Sequence, residues 1–316
     1  MSDKTLQKVG FIAPSTCLPR NAKSTLNRTA SLIKRGLGVK EIYYSPFLFS
    51  MDEQIDHVTA SADERSEDFK TVIRDYDLIV SVAGGTGAED LAFKIDKIDY
   101  RVIRNRRPIF IGFSDFTFLL SEIYHHARVP VVYFPTLKLS KGNSRKIFPL
   151  ILGEDIHYQG QRWLTPPPAR RISGIPIGGN LTTFVNFLNR EKPPKFSWRR
   201  HILFFEDIQI DVEDLHRLLA ALRRHNVLGK IRGIVIGSMA QYPKNHNYQK
   251  NQREALKFIL TYLRDVIRIR RKQGYPLPIL SVSNFGHNIT RDLMAVPMGG
   301  KVTISKNKKI TFRLGK

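Results

Sequence analysis

A serine, a carboxylate and a histidine, the three groups that together can cleave an amide bond, each stand at the end of an apolar run in this chain. In PIFIGFSDFTFLL an apolar strand pattern runs into Ser114, and a helical pattern begins at once. A hydroxyl at such a turn is exposed above the sheet, and the N–H of the next residue, Asp115, is aimed at any oxyanion that forms there. The positive end of the helix adds to that field. The same residues also fit plain helix capping by Ser114, and Phe116 stands where the nucleophile-elbow pattern has its last glycine. In HILFFEDIQIDVEDLHRLLAALRR a second apolar run ends at Glu206 and Asp207, and Leu215, Leu218, Leu219 and Leu222 then share one helical face. Asp211 and Asp214 have the spacing of an N-cap pair, so that helix is already capped. Glu206 is therefore available to orient a histidine, with simple surface exposure as the alternative. In PILSVSNFGHN, His287 follows a strand and a glycine. Such a histidine can serve a serine as general base once a carboxylate fixes its tautomer, although a loop histidine can also be incidental.

Two glycine turns accompany these residues. AGGTGAED (83–90) places Gly84 and Gly85 directly after a strand, where backbone N–H groups can approach a ligand without side-chain obstruction. The spacing is not that of a nucleotide-binding phosphate loop, and an ordinary turn is the alternative, as it is for GGN at 178–180. Cys17 is the one cysteine, which excludes an intramolecular disulfide and any Cys-based zinc or iron–sulfur site. His125 and His126 do not have metal-ligand spacing, so neither a metal nor a cofactor is expected.

The elements that must position these residues follow from periodicity. In the first half, KVGFIAPS, EIYYSPF, DLIVSVAGG, PIFIGFSD and PVVYFP read as strands. Helical patterns separate them in the 20s and 30s and near 62–75, 88–96 and 116–127. That alternation predicts an α/β fold with a parallel sheet, whose chemistry belongs at the carboxyl ends of the strands. GQRWLTPPPARR breaks the pattern, because consecutive prolines favour an extended connection. The expected organisation is a nucleophile-bearing domain over 1–160, a Pro-rich linker over 161–171 and a mixed α/β C-terminal domain over 172–316. The last has strands at GIPIGGN, HILFFED, GIVIGSM and PILSVS. Its helices are expected near 181–190, 212–225 and 250–272, and a hairpin turning near Asn307 closes it.

The formal net charge is +23 over 316 residues, and it is concentrated in the second half. Residues 1–160 hold 22 Lys and Arg against 19 Asp and Glu, whereas residues 161–316 hold 29 against 9. Such a field attracts anionic ligands, but the basic residues are scattered without one dominant run, so nucleic acid is not the expected partner. The N-terminal stretch lacks the apolar core of a signal peptide, and no apolar run approaches the ~18 residues needed to span a bilayer. A cytoplasmic protein without membrane partners is expected.

Taken together, the motifs resemble the family of LD-carboxypeptidases and microcin C immunity peptidases over nearly the whole chain. The resemblance is carried by APS (13–15), Asp63-Glu64-Arg65, Gly84-Gly85, GFSDFT (112–117), GGN (178–180), FFED (204–207), FGH (285–287) and the VPMGG beyond it. It implies a flavodoxin-like N-terminal domain bearing a nucleophilic Ser114. A smaller C-terminal domain would bear Glu206 and His287, with the site between the two. The oxyanion hole would come from the amides of Asp115 and Gly85, with Gly84 beside it, and the assembly would be a homodimer. The implied substrate is murein tetrapeptide, cut to release D-alanine, or alternatively a peptidyl-nucleotide antibiotic. A third possibility of another class is an inactive relative that binds anionic ligands or nucleic acid. Two departures stand beside the expected site. The family's Arg-Gly-Gly-Tyr-Gly is Ala83-Gly84-Gly85-Thr86-Gly87 here, and its His-Gly-Pro is Tyr133-Phe134-Pro135. Loss of the arginine resembles the immunity branch.

Overall fold

The computed structural model describes residues 6–49, 60–240 and 248–315; residues 1–5, within the stretch used to judge export, lie outside them. The chain divides into two compact units, Met1–Glu154 with Ala295–Gly299 and Leu314–Lys316, and Asp155–Met294 with Gly300–Arg313.

The first unit alternates β1 (Lys8–Ile12), α1 (Lys23–Leu37), β2 (Glu41–Tyr44), α2 (Ala62–Asp75), β3 (Leu78–Ser81), α3 (Ala88–Lys94) and α4 (Lys97–Arg106). It continues through β4 (Ile109–Gly112), α5 (Thr117–Ala127), β5 (Val131–Tyr133) and α6 (Lys141–Ile151). The strands pair in the parallel order β2-β1-β3-β4-β5, the flavodoxin-like arrangement expected. Leu78, Ile79, Val80, Phe110 and Ile111 are at most 1% exposed, so these strands are apolar on consecutive residues, without the alternation of a half-exposed sheet. Helix α1 buries Leu26, Ala30, Ile33 and Leu37 along one face and ends at Gly38 in the left-handed conformation. Helix α4 was not expected from the charge-dense KIDYRVIRNR. An Asp96–Asp99 capping box starts it, and Tyr100 and Ile103 supply its buried face.

The second unit contains β6 (Ile156–Gln159), β7 (Arg162–Trp163), β8 (Arg171–Asn180), α7 (Leu181–Asn189), β9 (His201–Ile208) and α8 (Val212–Arg224). After them come α9 (Val227–Lys230), β10 (Gly233–Ala240), α10 (Tyr248–Lys272) and β11 (Ile279–Ser281). Beyond β11, β12 (Val296–Met298) leaves this unit, and the hairpin β13 (Lys301–Ser305) and β14 (Lys309–Arg313) returns to it. The sheet runs β6-β14-β13-β8-β9-β10-β11-β7, with β8 to β11 parallel and antiparallel strands on both flanks. Asp211 and Asp214 form the expected box at the start of α8, with Asp214 N–H donating to Asp211 Oδ1 at 2.8 Å.

Three boundaries differ from expectation. The first domain, expected over 1–160, ends at Glu154, and β6 joins the second unit, where it pairs with β14. Strand β12 was assigned to the C-terminal domain, but it pairs antiparallel with β5, Val296 opposite Tyr133 and Met298 opposite Val131. Its fully buried apolar residues find a free sheet edge there. The 161–171 stretch belongs to the second unit and is anchored to its sheet. Arg162 pairs with Ser281, the Trp163 indole N–H donates to the Lys306 carbonyl at 2.8 Å, and Thr165 Oγ1 accepts from Ile279 N–H at 2.8 Å.

Candidate active site

In the first unit, β4 delivers the chain to Ser114 through an extended Phe113, and a 3-10 turn over Ser114–Phe116 leads into α5. Ser114 has φ +59°, a left-handed conformation rare for a residue with a Cβ and characteristic of strained strand-to-helix turns at functional sites. The capping alternative fails, because Phe113 and Phe116 occupy the N-cap positions of the two helical segments. Gly84 lies against this turn. A Cβ there would meet Ser114 Cβ at 2.6 Å and Ser114 Oγ at 3.1 Å. Gly85 has φ +105°, and a Cβ on it would fall 1.9 Å from Thr16 Oγ1. Thr16 fixes the glycine turn from both sides, donating its N–H to the Gly84 carbonyl at 3.1 Å and accepting from Thr86 N–H at 3.2 Å.

Two charged side chains tie the surrounding loops together. Asp115 Oδ2 accepts from Ser15 Oγ at 2.7 Å and from Ala88 N–H at 2.9 Å, joining the loops after β1, β3 and β4. Burial pushes its carboxyl above the usual range, while these two donors and the positive charge of Arg65 pull it back. Arg65, 3% exposed, donates to the Pro14, Gly87 and Ala60 carbonyls. The Asp-Glu-Arg segment thus acts here as a clasp beneath the loops. Tyr133, the first residue of the second sequence departure, is fully buried; its hydroxyl accepts from Ser114 N–H at 3.2 Å and its ring lies 4.8 Å from that of Phe113.

In the second unit, Glu206 and His287 are brought together although 81 residues separate them. Glu206 Oε2 accepts from His287 N–H at 2.9 Å and meets His287 Nδ1 at 2.7 Å. The Glu206 side chain is 0% exposed and that of His287 16%. A carboxylate only accepts, so the Nδ1 hydrogen points at Glu206, and in the neutral ring Nε2 presents its lone pair. The approach depends on small residues. Gly286 has φ +117°, and a Cβ on it would meet Glu206 Cβ and Oε2, each at 2.7 Å. Opposite Glu206, the β9–β10 register shifts between Ile236 and Met239, and a Cβ at Gly237 would sit 2.4 Å from the Phe285 carbonyl. That irregularity lets Ser238 N–H hold the same carbonyl at 2.8 Å and seats the loop that carries His287.

Asp207 and Asn180 form the layer behind Glu206. Asp207 accepts from Asn180 Nδ2, Ile208 N–H, Thr182 N–H and Thr182 Oγ1, at 2.7 to 2.9 Å. Burial, and then the neighbouring Glu206 charge, push its carboxyl up to about 6 against the pull of these donors. Asn180 also caps α7 through Thr183 N–H at 3.1 Å. The GGN motif therefore places a cap at the end of β8, where Gly178, at φ +121°, has no room for a Cβ beside the Phe204 carbonyl.

Of the expected site residues, Ser114, Asp115, Gly84 and Gly85 lie in one cluster of loops in the first unit, and Glu206 and His287 form a bonded pair in the second. Sequence reasoning placed Tyr133 beside the site but missed its contact with Ser114 N–H, and it missed Thr16 and the support given by Asp207. Nothing local marks Thr16 or Tyr133, since each acts on a loop distant in sequence.

The fold is a two-unit α/β one, with Ser114 in the loop after β4, Glu206 near the end of β9 and His287 in the loop after β11. Family models then match the LD-carboxypeptidase N-terminal domain over residues 9–134 and the LD-carboxypeptidase C-terminal domain over residues 173–304. The chain belongs to the LD-carboxypeptidase family and is a serine-type peptidase. It is 26% identical to a Bacillus subtilis protein described as a "probable murein peptide carboxypeptidase", over 95% of this chain and 89% of that one. It is 24% identical to the microcin C7 self-immunity protein MccF of Escherichia coli, over 79% of this chain and 78% of that one. A solved structure of muramoyltetrapeptide carboxypeptidase from Oxalobacter formigenes aligns with TM-score 0.75 and 22% identity, covering 98% of this chain and 99% of the other. MccF in complex with aspartyl sulfamoyl adenosine aligns with TM-score 0.74 and 20% identity, covering 98% and 97%. Among the described residues, no helix is long and apolar enough to cross a membrane.

Proposed function

We propose that this chain is a cytoplasmic, homodimeric LD-carboxypeptidase that hydrolyses the amide bond between an L-centre and the terminal D-alanine of murein tetrapeptide. Ser114 Oγ attacks the carbonyl carbon while its proton passes to His287 Nε2. Glu206 stabilises the imidazolium, and the amides of Asp115 and Gly85 receive the developing oxyanion. Collapse expels the amine of D-alanine, which takes the proton from His287. Water, deprotonated by the same imidazole, then attacks the acyl-serine; the bond to Ser114 breaks and the hydroxyl is restored. The observation that carries this proposal is the buried Glu206 on Nδ1 of His287, because a carboxylate there fixes the tautomer and leaves Nε2 as the base that a serine nucleophile requires. The left-handed Ser114 turn supports it from the first unit.

A second substrate, the amide or acylsulfamoyl link of an aminoacyl-nucleotide, is favoured by one feature. Ala83 stands where the murein-directed pattern has arginine, and MccF, one of the similar proteins, has been solved with an aminoacyl sulfamoyl nucleoside. The test is turnover of the purified protein and its Ser114→Ala variant on tetrapeptide and on an aminoacyl sulfamoyl adenosine, reading release of D-alanine and of the amino acid. Release of D-alanine that falls by about 10³-fold or more in the variant supports the first assignment. Unchanged release in Ser114→Ala sinks the mechanism, and turnover of the nucleotide alone moves the assignment to the second substrate.

A further inference from the structure

At the opposite end of the second unit's parallel strands there is a cleft of about 910 Å³. Its lining comes from segments just before or at the amino ends of those strands: Ile172 at the start of β8, Arg199 ahead of β9, Lys230 and Arg232 ahead of β10, and Pro278 ahead of β11. Glu206 and His287 belong to the carboxyl ends of the same sheet, so the cleft is separate from the acid–base pair.

Its charge is one-sided. Arg199, Lys230, Arg232 and Arg270 line it, no Asp or Glu does, and among the described residues no carboxylate pairs with any of the four. Arg270 is 7% exposed, and its bonds run from Nε and Nη1 to the backbone carbonyls of Tyr275, Leu228 and Ile231, at 2.7 to 3.2 Å. Those partners are neutral and Nη2 takes part in none of the bonds, so a fixed positive charge sits in the wall without a counter-charge. Burial, and then the charge of Arg199, disfavour its charged form, which places the two guanidinium groups within each other's field. Like charges gathered in a concave, partly desolvated surface repel, and an anion seated between them removes that cost.

The remaining lining is uncharged: prolines, glycines, Ile172, Gln273 and Tyr275. Pro166, Pro167 and Pro168 form part of the wall, and Gly274 at φ +76° and Pro276 flank Tyr275. Tyr275 is 61% exposed, with the Arg199 guanidinium 5.6 Å from its ring centroid. An exposed aromatic ring beside cations offers a stacking platform for a planar group next to a phosphate-binding surface. The volume falls within the range of pockets that enclose small ligands, roughly 300 to 1,000 Å³.

We propose that this cleft is a binding site for a nucleoside polyphosphate, its base against Tyr275 and the prolines and its phosphates on Arg199, Lys230 and Arg232. The probes are ATP, inorganic triphosphate and adenosine, titrated calorimetrically into the full chain, into an Arg199→Ala/Arg232→Ala variant and into Tyr275→Ala. These three residues are exposed and lie away from the acid–base pair, and an unaltered circular dichroism spectrum confirms that each variant is folded. The expected result is saturable ATP binding that weakens about tenfold or more in the double arginine variant, and by about tenfold in Tyr275→Ala. Triphosphate should bind more weakly than ATP, and adenosine should not bind. Absence of saturable ATP binding, or equal ATP affinity in the parent and the double variant, overturns the site. Triphosphate binding as tight as that of ATP overturns the assignment of a nucleoside ligand.

Discussion

The two halves of the proposed catalytic set are specified by different physics. Around Ser114 the chain is held by close backbone approach: the serine itself lies at φ +59°, Gly84 has no room for a methyl group beside it, and Gly85 and Gly87 have φ of +105° and +113°. Around His287 the decisive contact joins two side chains, one a carboxylate removed from water. The nucleophile side is therefore sensitive to volume at constant charge, and the acid–base side to charge at constant volume.

The largest effect expected from that contrast is on Glu206→Gln. The amide keeps the shape of the side chain but loses the charge that steadies an imidazolium, and it can present a donor to Nδ1. Turnover should fall by roughly 10²- to 10⁴-fold with little change in the thermal midpoint. A variant that keeps most of its turnover would break the electrostatic half of the comparison.

Gly84→Ala probes the other half. Its methyl group would fall 2.6 Å from Ser114 Cβ and 3.3 Å from the Phe113 carbonyl oxygen, and Ser114 cannot yield without moving strained backbone. A stability loss of about 1 to 3 kcal/mol is expected by denaturant titration, together with reduced turnover. Parent-like stability and turnover would show that the turn is more compliant than its contacts indicate.

The smallest effect concerns Asp207, whose carboxyl is raised from 3.8 to about 6. Because the folded state prefers the protonated acid, the contribution of Asp207 to stability is fully present below pH ~3.8 and is lost as pH rises through ~6. Carbon-detected NMR of the Asp207 carboxyl should show a midpoint near 6 in the parent and a lower one in Glu206→Gln, where the like charge is gone. An unmoved midpoint would mean that the Glu206 charge does not act on Asp207.

Much of this architecture is legible in local sequence because its causes are local. The apolar spacing of α1 and α8, the Asp211–Asp214 box and the alternation of strands with helices each depend on residues within a turn or two of one another. Helix α4 is not legible from periodicity because its two buried apolar residues, Tyr100 and Ile103, are outnumbered by charges, although the Asp96–Asp99 box is a usable signal. The antiparallel place of β12 on the first sheet could not be read, since nothing in Val296–Met298 names its partner.

Residue order and composition alone establish that Ser114, Glu206 and His287 each stand at or after an apolar run, and that the positive charge gathers in the second half. Tertiary structure decided that Glu206 meets His287, that Asp115 and Arg65 clasp loops from separate strands, and that an expected proline linker walls a cationic cleft. Hydrogen bonds between distant segments depend on where the whole chain leads each residue. Periodicity reports only which face of its own element a side chain occupies.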